Sequence, residues 1–232
     1  SDHRRQRQMC IRDSLNSLEK LKETLKGTLY KNPQNNIKER KRRKMTIKCT
    51  ELSFLTISFF KLSLSNWKEL KPQIKRLVDL DLEKDRIDIC YSDYFKYNNR
   101  PPYMIPFIHL IEDELLDFFN GAGMSVQTPD NWQMWSQTYK GTDSHPLHNH
   151  GFGNLSAILY LDFDKELHQP TRFWQPLPDP FFGTIKHYQP EVEEGDIVFF
   201  PSTISHECPA SNSETYRSII AFNVPIADQS VQ

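Results

Sequence analysis

Two apolar stripes at helical spacing, followed by a train of short alternating segments, predict an α+β fold, mainly β, in which N-terminal helices buttress a β-sandwich. The first stripe runs from Trp67 to Val78 and the second from Ile108 to Phe119. Beyond Gly121 and Gly123, proline and glycine punctuate the strand-like segments. Thr50 to Leu64 is rich in Phe, Ile, Leu and Thr, and Leu55, Ile57 and Phe59 alternate with Thr56 and Ser58, which suits one or two strands. Ser65 or Asn66 caps a helix reaching about Leu80, with Trp67, Leu70, Ile74, Leu77 and Val78 on one face; Pro72 predicts irregular first turns. A polar, aromatic-spotted connection over 81–102 ends in Pro101-Pro102. A second helix from about Tyr103 to Phe119 buries Ile108, Ile111, Leu115, Leu116 and Phe119 and stops at the glycines. Strands are expected at Trp132–Lys140, Leu155–Phe163, Thr171–Gln175, Ile197–Phe200 and Arg217–Val224.

A length of 232 residues suits one domain with an appendage. The hydrophobic share of 38% is low for a globular chain, but aromatics cluster after Phe54, so a core can form there. No run of about 18 apolar residues exists, so no membrane partner is expected. The opening is basic and lacks an apolar segment of the secretory kind. Cys10, Cys49, Cys90 and Cys208 are far apart and form no CxxC. They are read as reduced, mostly buried thiols, with a cytoplasmic location as the expectation.

Charge is unevenly spread. Residues 1–44 carry 14 basic against 5 acidic side chains, whereas the rest carries 15 against 25. The run Lys38 to Lys44 repels itself, so 1–44 is expected to be a basic leader, disordered or non-native, and 45–232 the folded domain. Leu15, Leu18, Leu21 and Leu25 fall at helical spacing with little to pack against. A nucleic-acid or localisation patch, a solvated tail and a non-native extension all suit the basic run. The opening stretch through Gln8-Met9-Cys10-Ile11-Arg12-Asp13-Ser14 resembles translated sequencing-adapter remnants, and compact-domain composition begins at Met45, directly after the basic block, so Met45 is the expected natural start. The acidic main domain matches a phosphate backbone poorly, so nucleic acid is not its expected partner.

The chemistry rests on histidines. His3 is in the leader, His109 on the second helix, and His168 and His187 in loop-like stretches; Pro146 is expected to turn His145 aside. That leaves His148, His150 and His206. His148-Asn149-His150, if on a strand, sends both imidazoles to one face, which begins a metal site. A third donor must come from elsewhere. His206 follows Gly195-Asp196-Ile197-Val198-Phe199-Phe200-Pro201, which reads as a turn, a buried strand and a bend. Alone, HxH is a weak signal.

The ordered set is more specific. His148-Asn149-His150, Leu155 to Leu161, Gly195 to Ser202, His206, and Tyr216-Arg217-Ser218-Ile219-Ile220-Ala221-Phe222-Asn223 together resemble the 2-oxoglutarate/Fe(II)-dependent oxygenases, in particular a group common in bacteria and tailed phages. The resemblance covers about 130–225. It implies a double-stranded β-helix (jelly roll), Fe(II) as metal, and 2-oxoglutarate and oxygen as cosubstrates of an oxygenase of hydroxylase type that releases succinate and carbon dioxide. His148 and His206 match the first and last ligands of the superfamily's triad. Arg217 matches the arginine that holds the cosubstrate's far carboxylate, a task suited to a guanidinium. Tyr160 and Ser156 share a strand face, and either hydroxyl could assist that carboxylate. His150 departs from the superfamily pattern, which has Asp or Glu there. Histidine leaves both metal charges uncompensated, and nitrogen ligation favours Zn, Ni or Cu as competitors. Asp143 is the nearest alternative carboxylate.

Other readings stand beside this one. Arg217 could form a surface salt bridge with Glu214 or Asp196. A cupin-like three-histidine metalloprotein shares the architecture without 2-oxoglutarate, and a binding module could keep the fold without turnover. No GxGxxG, P-loop, GxSxG or HExxH pattern is present. Trp132, Trp135 and Trp174 suit core or pocket wall. The stretch 164–190, with Phe173, Trp174, Phe181 and Phe182, suits a lid or wall, and the substrate is not legible.

Overall fold

The computed structural model describes residues 57–227, apart from 79, 80 and 83. All of them belong to one compact unit. The leader, Cys10, Cys49 and the start of the Thr50–Leu64 segment lie outside the described residues. Ten strands and three helices follow in order: β1 (Phe60–Ser63), α1 (Trp67–Leu77), β2 (Tyr91–Ser92), α2 (Met104–Leu110), α3 (Glu112–Gly121), β3 (Gln133–Gly141), β4 (His145–His148), β5 (Asn154–Asp162), β6 (Arg172–Trp174), β7 (His187–Tyr188), β8 (Asp196–Pro201), β9 (His206–Cys208) and β10 (Ser213–Pro225).

The strands form a large sheet of order β1-β8-β5-β10-β3-β2 and a small sheet of order β4-β9-β6-β7. Every pairing is antiparallel. This is the jelly roll that the resemblance implies. Its central strands are buried on both faces, which is why β5 and β8 read as continuous apolar runs. Alternation divides each run between two cores. Leu159, Leu161, Ile197, Phe199, Ile220 and Phe222 pack against Ile74 of α1, Phe107 of α2, and Leu115 and Phe119 of α3. Ile158, Tyr160, Val198, Phe200 and Ile219 face the small sheet, whose Phe173 and Cys208 join the same cluster. One core fixes the helices on the large sheet; the other fixes the two sheets around the site.

The helices differ from the sequence reading in two ways. The first runs unbroken through Pro72. The proline's missing N–H removes one intrahelical bond near the start, and buried Leu70 and Ile74 hold the turns on either side of it. The second is not one helix. It breaks at Ile111, whose φ of −128° leaves the helical region, and restarts with Glu112, Asp113 and Glu114 in its first turn. Three carboxylates at a new N-terminus are favoured by the helix dipole, and Ile111 is fully buried at the break. The predicted glycine stop holds: α3 ends at Gly121, and the amide of Met124 bonds back to Phe119.

Five predicted strands are found within a few residues of their expected bounds. β2, β4, β7 and β9 were not expected. They have two to four residues each, too few to show a period. Two of these, β4 and β9, carry the site.

Candidate metal centre

β4 and β9 pair so that His148 lies directly opposite His206. His150 arrives differently from the expectation. β4 ends at His148, so strand alternation does not place it. Its backbone amide instead donates to the Ser202 carbonyl at 2.9 Å, and the Ser202 hydroxyl donates to the Gly151 carbonyl at 2.8 Å. Gly151 and Gly153, at φ of 78° and 83°, let the loop fold back in a conformation that disfavours other residues. The buried bend after β8 thus clips His150 into position.

The ligating nitrogens of His148, His150 and His206 all lie within 4.8 Å of one another. His150 Nε2 and His206 Nε2 are 3.3 Å apart. Two nitrogens each about 2.1 Å from one ion stand roughly 3.0–3.4 Å apart at ordinary coordination angles, so the set fits a single transition metal. The tautomers suit it too. His148 Nδ1 bonds the Pro146 carbonyl at 2.8 Å and His206 Nδ1 bonds the Ile204 carbonyl at 3.0 Å. Each Nδ1 therefore carries the proton, and each Nε2 lone pair is free for a metal. Phe200 and Phe173 pack around the buried His206 ring, and Trp135 lies beside His150.

Burial disfavours the imidazolium form at all three positions, and repulsion from neighbouring histidines, His145 among them, adds to it. His148 and His150 are pushed down to about 4, and His206 to about 3. At neutral pH the site offers three neutral donors. His145 is not turned aside, contrary to expectation. It opens β4, and its ring lies 4.0 Å from that of His148, so Pro146 sits within the strand without diverting it. Strand β4 is the edge of the small sheet, where a missing amide proton is tolerated. His145 is not part of the ligand group. Asp143 is also outside it. Its two oxygens each bond Arg86 at 2.7 Å, and that guanidinium holds the carboxyl below its usual range.

A cavity opens on the three histidines, lined also by Trp135, Ser156, Thr171, Phe200 and Cys208. Arg217 lies behind it, on β10, at 1% exposure. The surface salt bridge considered from sequence does not form: Glu214 pairs with Lys140 and Asp196 with Lys61. Among the described residues no acid pairs with Arg217. Its guanidinium donates to Cys208 Sγ at 2.6 Å and Thr171 Oγ1 at 3.2 Å, and lies over the rings of Tyr139 and Tyr160. Its Nε has no partner.

The remaining predicted residues divide. The Tyr160 hydroxyl accepts from the Thr171 amide at 3.1 Å, so it positions an Arg217 partner. Ser156 lines the cavity but donates its hydroxyl to Asn223 at 2.7 Å. Trp135 is pocket wall, whereas Trp132 belongs to the helix-side core. Of the suspected lid, Phe173 is buried under the site while Phe181 and Phe182 are exposed. The sequence reading missed Thr171 and Cys208. Cys208 shares the face of His206 because 206–208 is a strand, and a three-residue strand shows no period from which this could be read.

Residues 133–223 match a family model described as "Putative 2OG-Fe(II) oxygenase". None of the curated proteins matches the chain. Solved structures similar to it include a prolyl-4-hydroxylase of Pseudomonas putida, at 15% identity and a TM-score of 0.48 over 73% of this chain and 93% of that one. Another is the viral collagen prolyl hydroxylase of Paramecium Bursaria Chlorella virus-1, a 2OG complex, at 15% identity and 0.46 over 73% and 96%. HygX of Streptomyces hygroscopicus, with nickel, 2-oxoglutarate and hygromycin B bound, is similar at 13% identity and 0.49 over 73% and 83%.

Proposed function

We propose that this chain, whose residues 133–223 match a family model of 2OG-Fe(II) oxygenases, belongs to the 2-oxoglutarate/Fe(II)-dependent oxygenase superfamily and oxidises a substrate with release of succinate and carbon dioxide. His148, His150 and His206 would hold the Fe(II), and Arg217 would anchor the far carboxylate of 2-oxoglutarate. One observation carries the reading: three neutral imidazoles converge on a cavity, and a buried guanidinium without an acid partner among the described residues stands behind its wall. A buried cation is costly unless an anion meets it, and a dicarboxylate supplies one.

Fe(II), when bound, supplies the redox chemistry through which oxygen and 2-oxoglutarate are consumed. The protein's own groups bind and orient. The carbonyls of Pro146 and Ile204 fix two imidazole tautomers. Phe173, Phe200 and Trp135 wall the site with apolar surface, which restricts water. The histidine at position 150 contributes no charge, so the dianionic cosubstrate itself balances the metal. The cupin-like alternative leaves Arg217 without a task. We further assign the catalytic unit to 45–232 and the basic leader to 1–44. The buried free thiols Cys90 and Cys208 support a reducing compartment, and the cytoplasm is the proposed location. Among the described residues no helix is long and apolar enough to cross a membrane.

The test is an anaerobic titration with Fe(II) and 2-oxoglutarate, followed by the charge-transfer absorption of a chelated keto acid. The band should grow to one equivalent of each. Its absence, together with no iron-dependent formation of succinate in air, refutes the proposal.

A further inference from the structure

We propose that Cys208 is the gate of the carboxylate subsite and so selects which 2-oxo acid binds; the inference rests on the anchoring role given to Arg217 above. The cavity is lined by Cys208 and Thr171, the two side chains that bond the guanidinium, and not by Arg217 itself. An acid entering the cavity therefore meets the thiol before the cation. Cys208 is buried and follows His206 on β9 with its side chain on the same inner face.

The sulfur is a weak occupant of this position. Sulfur is a poor acceptor, while a carboxylate forms paired, charge-assisted bonds with guanidinium. Arg217 Nε, buried and unpartnered, provides a further donor that the thiol does not use. The sulfur also contacts the Pro209 carbonyl at 3.7 Å, Tyr139 and the His145 backbone. Rotation of the Cys208 side chain exchanges these contacts and clears the guanidinium. Only a ligand with a carboxylate at its far end compensates for the lost thiol contact, so 2-oxo monoacids leave the gate closed.

The experiment titrates 2-oxoglutarate into the Ni(II)-loaded chain, in which no turnover competes, and follows the fluorescence of Trp135 at the cavity wall. Melting without ligand establishes that each variant is folded. Cys208→Ala removes the occupant, and Kd should fall roughly three- to tenfold, the value of one modest hydrogen bond. Cys208→Val fixes a branched group in the same place, and Kd should rise by about tenfold or more. Unchanged or weaker binding in Cys208→Ala, or wild-type binding in Cys208→Val, overturns the gate. Arg217→Met separates the two ideas. If it abolishes binding while Cys208→Ala is neutral, the anchor stands and the gate falls; if it binds as wild type, the anchor falls and the gate with it.

Discussion

Replacing Arg217 by methionine should make the ligand-free protein more stable and deprive it of its response to 2-oxoglutarate. Arg217 is 1% exposed, has no acid partner among the described residues, and leaves Nε unbonded. Exchanging buried charged groups for apolar side chains of similar size is worth about 1–4 kcal/mol in favour of the variant. Against this stand two hydrogen bonds, to Cys208 and Thr171, at about 0.5–1.5 kcal/mol each, one of them to a weak sulfur acceptor. The contacts with the Tyr139 and Tyr160 rings are partly kept by a thioether. The balance centres on a gain of about 0.5–1 kcal/mol, or roughly 1–4 °C in melting temperature for a domain of this size. The assay is thermal melting of metal-loaded protein with and without 2-oxoglutarate. At a hundredfold excess over Kd the wild type should gain about 2.7 kcal/mol, and the variant nothing. A ligand-free variant destabilised by more than about 2 kcal/mol would refute the reasoning, because the guanidinium would then hold the fold rather than await an anion.

Three other outcomes follow from the site. His206→Ala removes the most buried of the three proposed ligands and should abolish stoichiometric iron binding by metal analysis; full iron content would take it out of the ligand set. Asp143→Asn breaks the bidentate bond to Arg86 and should leave iron content unchanged, whereas loss of iron would restore the carboxylate as a ligand. Acidification should destabilise the metal-free protein. The three ligand histidines are lowered from 6.5 to about 4, 4 and 3, so below pH 6.5 the unfolded chain takes up protons that the folded chain refuses. Stability from this source is complete above 6.5 and is lost as pH falls toward 4 and 3, at up to about 1.4 kcal/mol per histidine per unit. Melting at pH 7.5 and 5.5, above the range where carboxylates titrate, should show the fall; equal melting temperatures would contradict it.

How much was readable from the chain differs by element. β5, β8 and β10 were legible because strands buried on both faces carry long apolar runs. The stripe Ile108, Ile111, Leu115, Leu116, Phe119 was legible as helix, but its division was not, and Leu116, expected to be buried, is exposed. Local spacing shows which side chains share a face, not that Ile111 leaves the helical region where it packs. β4 and β9 were invisible because strands of four and three residues take their identity from partners far along the chain.

The sequence by itself determined the layer order, the three candidate donors and the arginine, since residue types and their order along the chain are local information. Only the tertiary structure decided how they meet. His150 reaches the others through a clip to Ser202 rather than by alternation, His145 joins the strand it was expected to leave, and Asp143 is taken by Arg86. It also set a thiol between the guanidinium and the cavity. Each of these depends on pairing between segments distant in the chain, and that pairing is settled by the burial free energy of the whole sandwich rather than by any one stretch of it.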